Sequence, residues 1–260
     1  MNYMNQSEAM SQLKSLSEQH RQSILIEGIA GCGKTYLASM YSKLLKIPDF
    51  QIIEPKVQAI REAITICYNE NTPIVLCIEN LDLGVLAASY TLLKFIEEPL
   101  PNVYIVVTCR NVKQVPDTII SRSSVITVSP PTDIDLIEYA KNIDEYKFED
   151  LKSKTIWRCV KTFNDVDTVL DLDYDKLKYF ESLGKNFKST DSVYNLLWTI
   201  QKYPDGTNTP IDLVLRYLMN HINTPYMWKV GFSCVDDLNK GRISTNAILA
   251  KFLFEYKYGG

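Results

Sequence analysis

The stretch GIAGCGKT, residues 28–35, fits the spacing G-x-x-x-x-G-K-[ST]. It constrains the fold because its chemistry needs one setting, after a strand and at the start of a helix. Both neighbours can be read in the sequence: SILIEG (23–28) has the composition of a strand, and KTYLASMYSKLLK (34–46) has helical spacing. In that setting Gly28, Gly31 and Gly33 let backbone N–H groups turn toward one anion, and the helix N-terminus adds its positive end. Lys34 is placed to reach outer phosphates and Thr35 to offer its hydroxyl to magnesium, with Cys32 and Tyr36 completing the expected nucleotide-binding segment. The competing reading is a glycine-rich turn that happens to precede a lysine; it leaves the flanking strand and helix unexplained.

The alternation continues downstream. FQIIEP (50–55) is a short strand, VQAIREAITICYN (57–69) a helix with apolar positions three and four apart, and IVLCIENLD (74–82) a buried strand that stops at Glu79 with Asn80 behind it. A helix through AASYTLLKFIEE (87–98), a strand VYIVVTC (103–109) and a last strand near SVITVSP (124–130) follow. Strands alternating with helices imply an α/β domain, a parallel sheet with helices on both faces. After Pro130 and Pro131 the pattern turns mostly helical, and a second break falls at KYPDGTNTP (202–210). Three parts are expected: 1–131, 132–203 and 204–260, the last holding IDLVLRYLMNHI (211–222) and TNAILAKFLFEYK (245–257) as packed helices.

A chain of 260 residues, 46% of them hydrophobic, can bury a large core. Its net charge of −3 excludes a generally basic surface, so nucleic-acid contact would need a local patch. Cys32, Cys67, Cys77, Cys109, Cys159 and Cys234 form no C-x-x-C pair, and Cys77 and Cys109 fall in apolar runs. Reduced core thiols are expected rather than a zinc site or disulfide framework. The start of the chain is polar, and no run approaches the roughly 18 apolar residues of a membrane helix. A cytoplasmic protein with no membrane partner is expected.

At LLKFIEEPLPNVYIVVTCRNVKQVPDTIISRSS (92–124) the chain resembles the AAA+ subunits of DNA-polymerase clamp loaders, particularly the delta-prime and gamma-like subunits. The matching pieces are Leu92, Leu93 and Lys94, then Glu97, Glu98 and Pro99, the strand ending at Thr108, and the turn Ser121, Arg122, Ser123. IPDFQIIEP (47–55) with QAIREAI behind it is similar to the family's segment after the phosphate loop, and DDLNKGRISTNAILAKFLFE (236–255) to its closing helix pair. The resemblance implies a P-loop AAA+ domain over 1–131, a helical lid over 132–203 and a small helical collar over 204–260. The four-cysteine zinc module of bacterial members is missing, since only 38 residues separate Thr35 from Ile74. That and the small collar suggest a minimal subunit such as a virus or phage encodes.

The resemblance also assigns roles. Counted back from Leu92, Leu93 and Lys94, the family's Asp-Glu pair falls on Glu79 and Asn80. Glu79 keeps a carboxylate for magnesium, whereas Asn80 can orient a water but cannot take its proton, so general-base catalysis should be lost or weak. A shifted register would instead make Asp82 or Glu79 the base. Thr108, Cys109 and Arg110 compete for the sensor position, the family register favouring the last two. The second-sensor arginine of the lid falls nearest Asp167, and Asp165, Asp167, Asp171 and Asp173 read as a solvated acidic helix face. Arg122 matches the finger arginine that reaches a neighbouring subunit's nucleotide in trans.

The protein so implied is a subunit of a sliding-clamp loader that holds ATP or ADP with Mg2+, completes a neighbour's active site through Arg122 and hydrolyses little itself. Its implied partners are other AAA+ subunits in a ring or spiral, a sliding clamp, and primer-template DNA contacted through backbone phosphates. Lys56, Arg61 and Lys113 are candidates for DNA contact but stay unassigned. The alternatives are an active ATPase motor subunit of such a loader, or another AAA+ replication protein such as a helicase loader.

Overall fold

The strands of the first half are apolar on both faces, which requires helices on each side of the sheet, and the computed structural model has that arrangement. It describes residues 7–259 apart from residues 71, 190–191, 205–209, 223 and 241–242. Most of the expected loop at 202–210, and Gly241 and Arg242 before the last helix, lie outside the described residues. The chain divides into two units, the first ending at Asp135 and the second beginning at Leu136. The break is a few residues beyond the prolines that suggested it, because Thr132 and Asp135 belong to a helix start. The Thr132 N–H donates to Asp135 Oδ2 at 2.8 Å, and the Asp135 N–H donates back to Thr132 Oγ1 at 3.2 Å.

In the first unit, β1 (Ser23–Glu27), β2 (Phe50–Ile53), β3 (Ile74–Ile78), β4 (Val103–Cys109) and β5 (Ser124–Thr127) form one parallel sheet in the order β2-β3-β4-β1-β5. Alternation divides their side chains between two layers. Ile24, Ile26, Cys77, Val106 and Ile126 pack with α1 (Ser7–Glu18) and α2 (Lys34–Leu45). Leu25, Leu76, Ile78, Val107 and Cys109 pack with α3 (Val57–Glu70) and α4 (Leu86–Glu97) on the other face, joined by Ile119 of the short α5 (Asp117–Ile120). Helix α1 was not expected: its sequence is polar, but Ala9 and Leu13, four apart, are buried beside α2.

One element differs at the site. The strand read as 74–82 ends at Ile78, and Asn80 takes a left-handed conformation (φ 48°) before a tight turn over Leu81–Leu83. Asparagine tolerates that conformation better than most residues.

The second unit is helical: α6 (Asp133–Leu151) begins in the first unit's last residues and is broken at Asp144, and α7 (Phe163–Leu170), α8 (Tyr174–Ser189), α9 (Val193–Gln201), α10 (Ile211–Met219), α11 (Pro225–Lys240) and α12 (Thr245–Tyr258) follow. Here Asp165 corrects the sequence reading. It is not a solvated acid but is buried, caps α7 through Thr162, and receives both arms of the Arg216 guanidinium at 2.7 and 2.6 Å. Asp167 and Asp171 do face solvent. Asp167 accepts the Tyr139 hydroxyl at 2.9 Å. The six cysteines are buried and in no disulfide, and burial pushes the Cys77 thiol up to about 12.

Candidate nucleotide site

The loop between β1 and α2 is shaped by glycine. Gly31 and Gly33 hold positive φ, 72° and 94°, a conformation other residues adopt at a cost. Gly28 is needed for a different reason: a Cβ there would stand 2.7 Å from Cys32 Sγ and 3.0 Å from the Val128 carbonyl oxygen. Cys32 is therefore the packing floor of the loop, with its thiol buried. Tyr36 lies on the first turn of α2, partly exposed.

Lys34 is buried and donates to the carbonyl oxygens of Gly28 at 2.7 Å and Ile29 at 2.8 Å. Burial pushes its ammonium below the ordinary lysine range, and nearby Arg110 adds to that push while Cys32 and Asp82 oppose it. The Thr35 hydroxyl donates to Glu79 Oε1, which puts a hydroxyl and a carboxylate oxygen at one spot, a donor pair suited to Mg2+. The loop's backbone geometry and this oxygen pair fit a magnesium-nucleotide phosphate chain.

Register separates the sensor candidates. Ile78 pairs with Val107, so Glu79 and Thr108 come next on neighbouring strands and share the α2 face with Cys77 and Val106. Thr108 is buried, and its Oγ1 accepts the Asn80 N–H at 2.9 Å. Cys109 points into the opposite core layer, away from the face that Thr108 shares with Glu79. Counting by twos from Cys77 and Val106 would have found Thr108 in the sequence. Asp82, just beyond Asn80, accepts the N–H groups of Arg110 at 3.0 Å and Asn111 at 3.3 Å on Oδ2, while its buried Oδ1 has no hydrogen-bond partner among the described residues.

Arg122 is elsewhere. It follows α5, pairs with Glu97 Oε1 at 2.8 Å and donates to the Thr118 carbonyl oxygen at 2.9 Å, with its side chain part-exposed. The adjacent Ser123 hydroxyl lies 2.9 Å from that of Ser23, the first residue of β1. The phosphate loop leaves the last residue of that strand, and five residues of strand span roughly 13 Å. Arg122 thus borders a groove of about 690 Å³ with His20, Arg21, Glu97 and Glu98, at the sheet end opposite the phosphate loop. Lys56 pairs with Glu54 at 2.5 Å on the surface.

A five-stranded parallel sheet in this order, with a phosphate loop after β1 and an acid at the end of β3, is a P-loop fold of the AAA+ type. Residues 45–132, about a third of the chain, match the profile of the family described as DNA polymerase III, delta subunit. The match begins after the phosphate loop, so the loop and the family segment are independent observations. In fold, the chain is similar to a DNA polymerase III gamma subunit-related protein from Thermotoga maritima, at 18% identity and a TM-score of 0.55 over 95% of this chain and 98% of that one. It is also similar to the Thermotoga maritima RuvB Holliday junction branch migration motor, at 14% identity and a TM-score of 0.46 over 86% and 93%; that weaker likeness carries no further argument. No curated protein sequence matches. The fold is that of an AAA+ domain, and residues 45–132 carry the DNA polymerase III delta-subunit family segment. Among the described residues no helix is long and apolar enough to cross a membrane.

Proposed function

We propose that the chain is a delta-prime-like subunit of a sliding-clamp loader that binds ATP or ADP with Mg2+ and lends Arg122 to a neighbouring AAA+ subunit. The observation that carries this reading is the placement of Arg122 at the opposite end of β1 from its own phosphate loop, where it cannot serve the nucleotide held in cis. The bound magnesium nucleotide supplies a phosphoanhydride. The loop N–H groups and Lys34 hold its phosphates, Thr35 and Glu79 hold the metal, and Thr108 positions the Asn80 backbone. Asn80 orients water without removing its proton, so turnover in cis is slow. Residues 132–203 serve as lid and 204–260 as collar, and the assembly works on a sliding clamp at primer-template DNA in the cytoplasm.

The test is ATPase activity of the chain alone and in its assembly. The isolated chain should turn over little, and Arg122→Ala should lower assembly turnover about a thousandfold at the adjoining site without changing nucleotide affinity of the isolated chain. Fast turnover by the isolated chain, or an unaffected Arg122→Ala assembly, would sink the split role.

One observation favours the active-motor alternative. Asp82 presents a buried carboxylate oxygen with no hydrogen-bond partner among the described residues, near Lys34, and a carboxylate can take the proton that Asn80 cannot. On that reading Asp82→Asn abolishes single-chain turnover; on the main reading it leaves an already slow rate as it was.

A further inference from the structure

The run Glu97, Glu98, Pro99 lines the groove with Arg122, at the far end of the sheet from the phosphate loop. Glu97 is the last residue of α4, and its Oε1 accepts Arg122 Nη2 at 2.8 Å. The other arm, Nη1, donates to the Thr118 carbonyl oxygen at 2.9 Å and to Ser121 Oγ at 3.4 Å. Both arms of the guanidinium are therefore taken up within its own chain. A carboxylate at the C-terminal end of a helix meets the negative end of the helix dipole, so Glu97 gains from holding a cation. Yet each side chain is 40% exposed, and an exposed ion pair shifts an equilibrium by only about fivefold at most. Such a pair parks a guanidinium but gives way to a more highly charged phosphate group, which the planar fork grips with two bonds. The backbone of the turn is held separately: the Ser121, Arg122 and Ser123 N–H groups donate to the carbonyl oxygens of Asp117, Ile119 and Ile120 at 2.9, 3.2 and 3.2 Å. Release then moves the Arg122 side chain and leaves the turn in place.

We propose that Glu97 is an autoinhibitory latch, which parks Arg122 inside the free chain and yields it when a neighbouring subunit brings phosphate charge into the groove. The inference rests on the reading of Arg122 as a residue that acts in trans. It ties use of the finger to the presence of the neighbour's nucleotide.

ATPase activity of the assembly, with the variants made in this chain alone, tests it. Glu97→Gln keeps the side chain's size and removes its charge, and it should raise turnover at the adjoining site about two- to fivefold. The gain should vanish in Glu97→Gln, Arg122→Ala relative to Arg122→Ala, because no finger is left to release. A gain that persists in the double variant would mean that Glu97 only repels the neighbour's phosphates, and it overturns the latch. A lower rate in Glu97→Gln makes Glu97 a residue that positions Arg122 for use, and an unchanged rate gives it no part; either result overturns the latch as well. Arg122→Ala separates the two readings. If that variant slows the assembly while Glu97→Gln does not speed it, the latch fails alone, and if Arg122→Ala has no effect, the role in trans fails and takes the latch with it.

Discussion

Replacing Lys34 with alanine is expected to weaken ATP and ADP binding at least about a hundredfold while the chain stays folded. The ammonium is buried against the Gly28 and Ile29 carbonyl oxygens, at the point where the loop turns its N–H groups inward. Burial holds its pKa below the lysine value of 10.5, so between that depressed value and 10.5 the folded chain binds fewer protons than the unfolded one. This group's contribution therefore makes stability rise with pH across that window and is unfavourable below it. Removing the ammonium relieves that penalty while giving up two hydrogen bonds, and the nucleotide-free melting temperature should change little. A bound phosphate chain reverses the balance by supplying the opposite charge. Calorimetry and a thermal melt of the same variant check both halves: undiminished affinity would remove Lys34 from the site, and a collapsed fold would make its role structural.

The sheet and its phosphate loop were legible because their signals are local. Strand alternation, helical spacing and the G-x-x-x-x-G-K-[ST] loop all act within a dozen residues, and each strand appeared within a few residues of its expected place. What escaped depends on partners distant in sequence or on backbone conformation. Family register left Thr108, Cys109 and Arg110 in competition, whereas the two-residue period of the strand decides which face a side chain takes and puts Thr108 with Glu79 and Cys109 on the other side. Asp82 acquired its place only when the strand proved to end at Ile78 and Asn80 turned the chain back through a left-handed conformation. Glu97 stood in the sequence as part of a family signature, but its ion pair with Arg122 required α4 and the α5 turn to meet. Helix α1 lacked an apolar run, and two buried residues four apart are a weak signal in a polar segment.

The largest stability effect should come from Asp165, the residue whose environment the sequence hid best. Arg216, 51 positions away, reaches it with both guanidinium arms and also donates to the Cys159 carbonyl oxygen at 2.7 Å and to Asp212. The N–H groups of Lys161 and Thr162 add contacts at 2.9 and 2.8 Å. Asp165→Ala leaves a mostly buried guanidinium short of its main counter-charge and removes the carboxylate half of the α7 capping box, a loss of about 3–5 kcal/mol. The three tryptophans, Trp157, Trp198 and Trp228, all lie in the second unit, so urea melts followed by their fluorescence report on that unit. The double variant Asp165→Ala, Arg216→Ala should cost clearly less than the two single losses added together, since neither partner of the Asp165–Arg216 pair is then left behind and the loss of Arg216 from Asp212 is counted once in both. Acid provides an independent check. Burial alone would raise the Asp165 carboxyl, but the hydrogen bonds and charge of Arg216 outweigh it and hold the group below the ordinary aspartate value of 3.8. Its stabilising contribution is thus complete above that value and is lost as pH falls through the lower folded one. Wild type should therefore shed stability below pH ~4 more steeply than Asp165→Ala, and parallel acid profiles for the two would show that the ion pair contributes nothing to the fold.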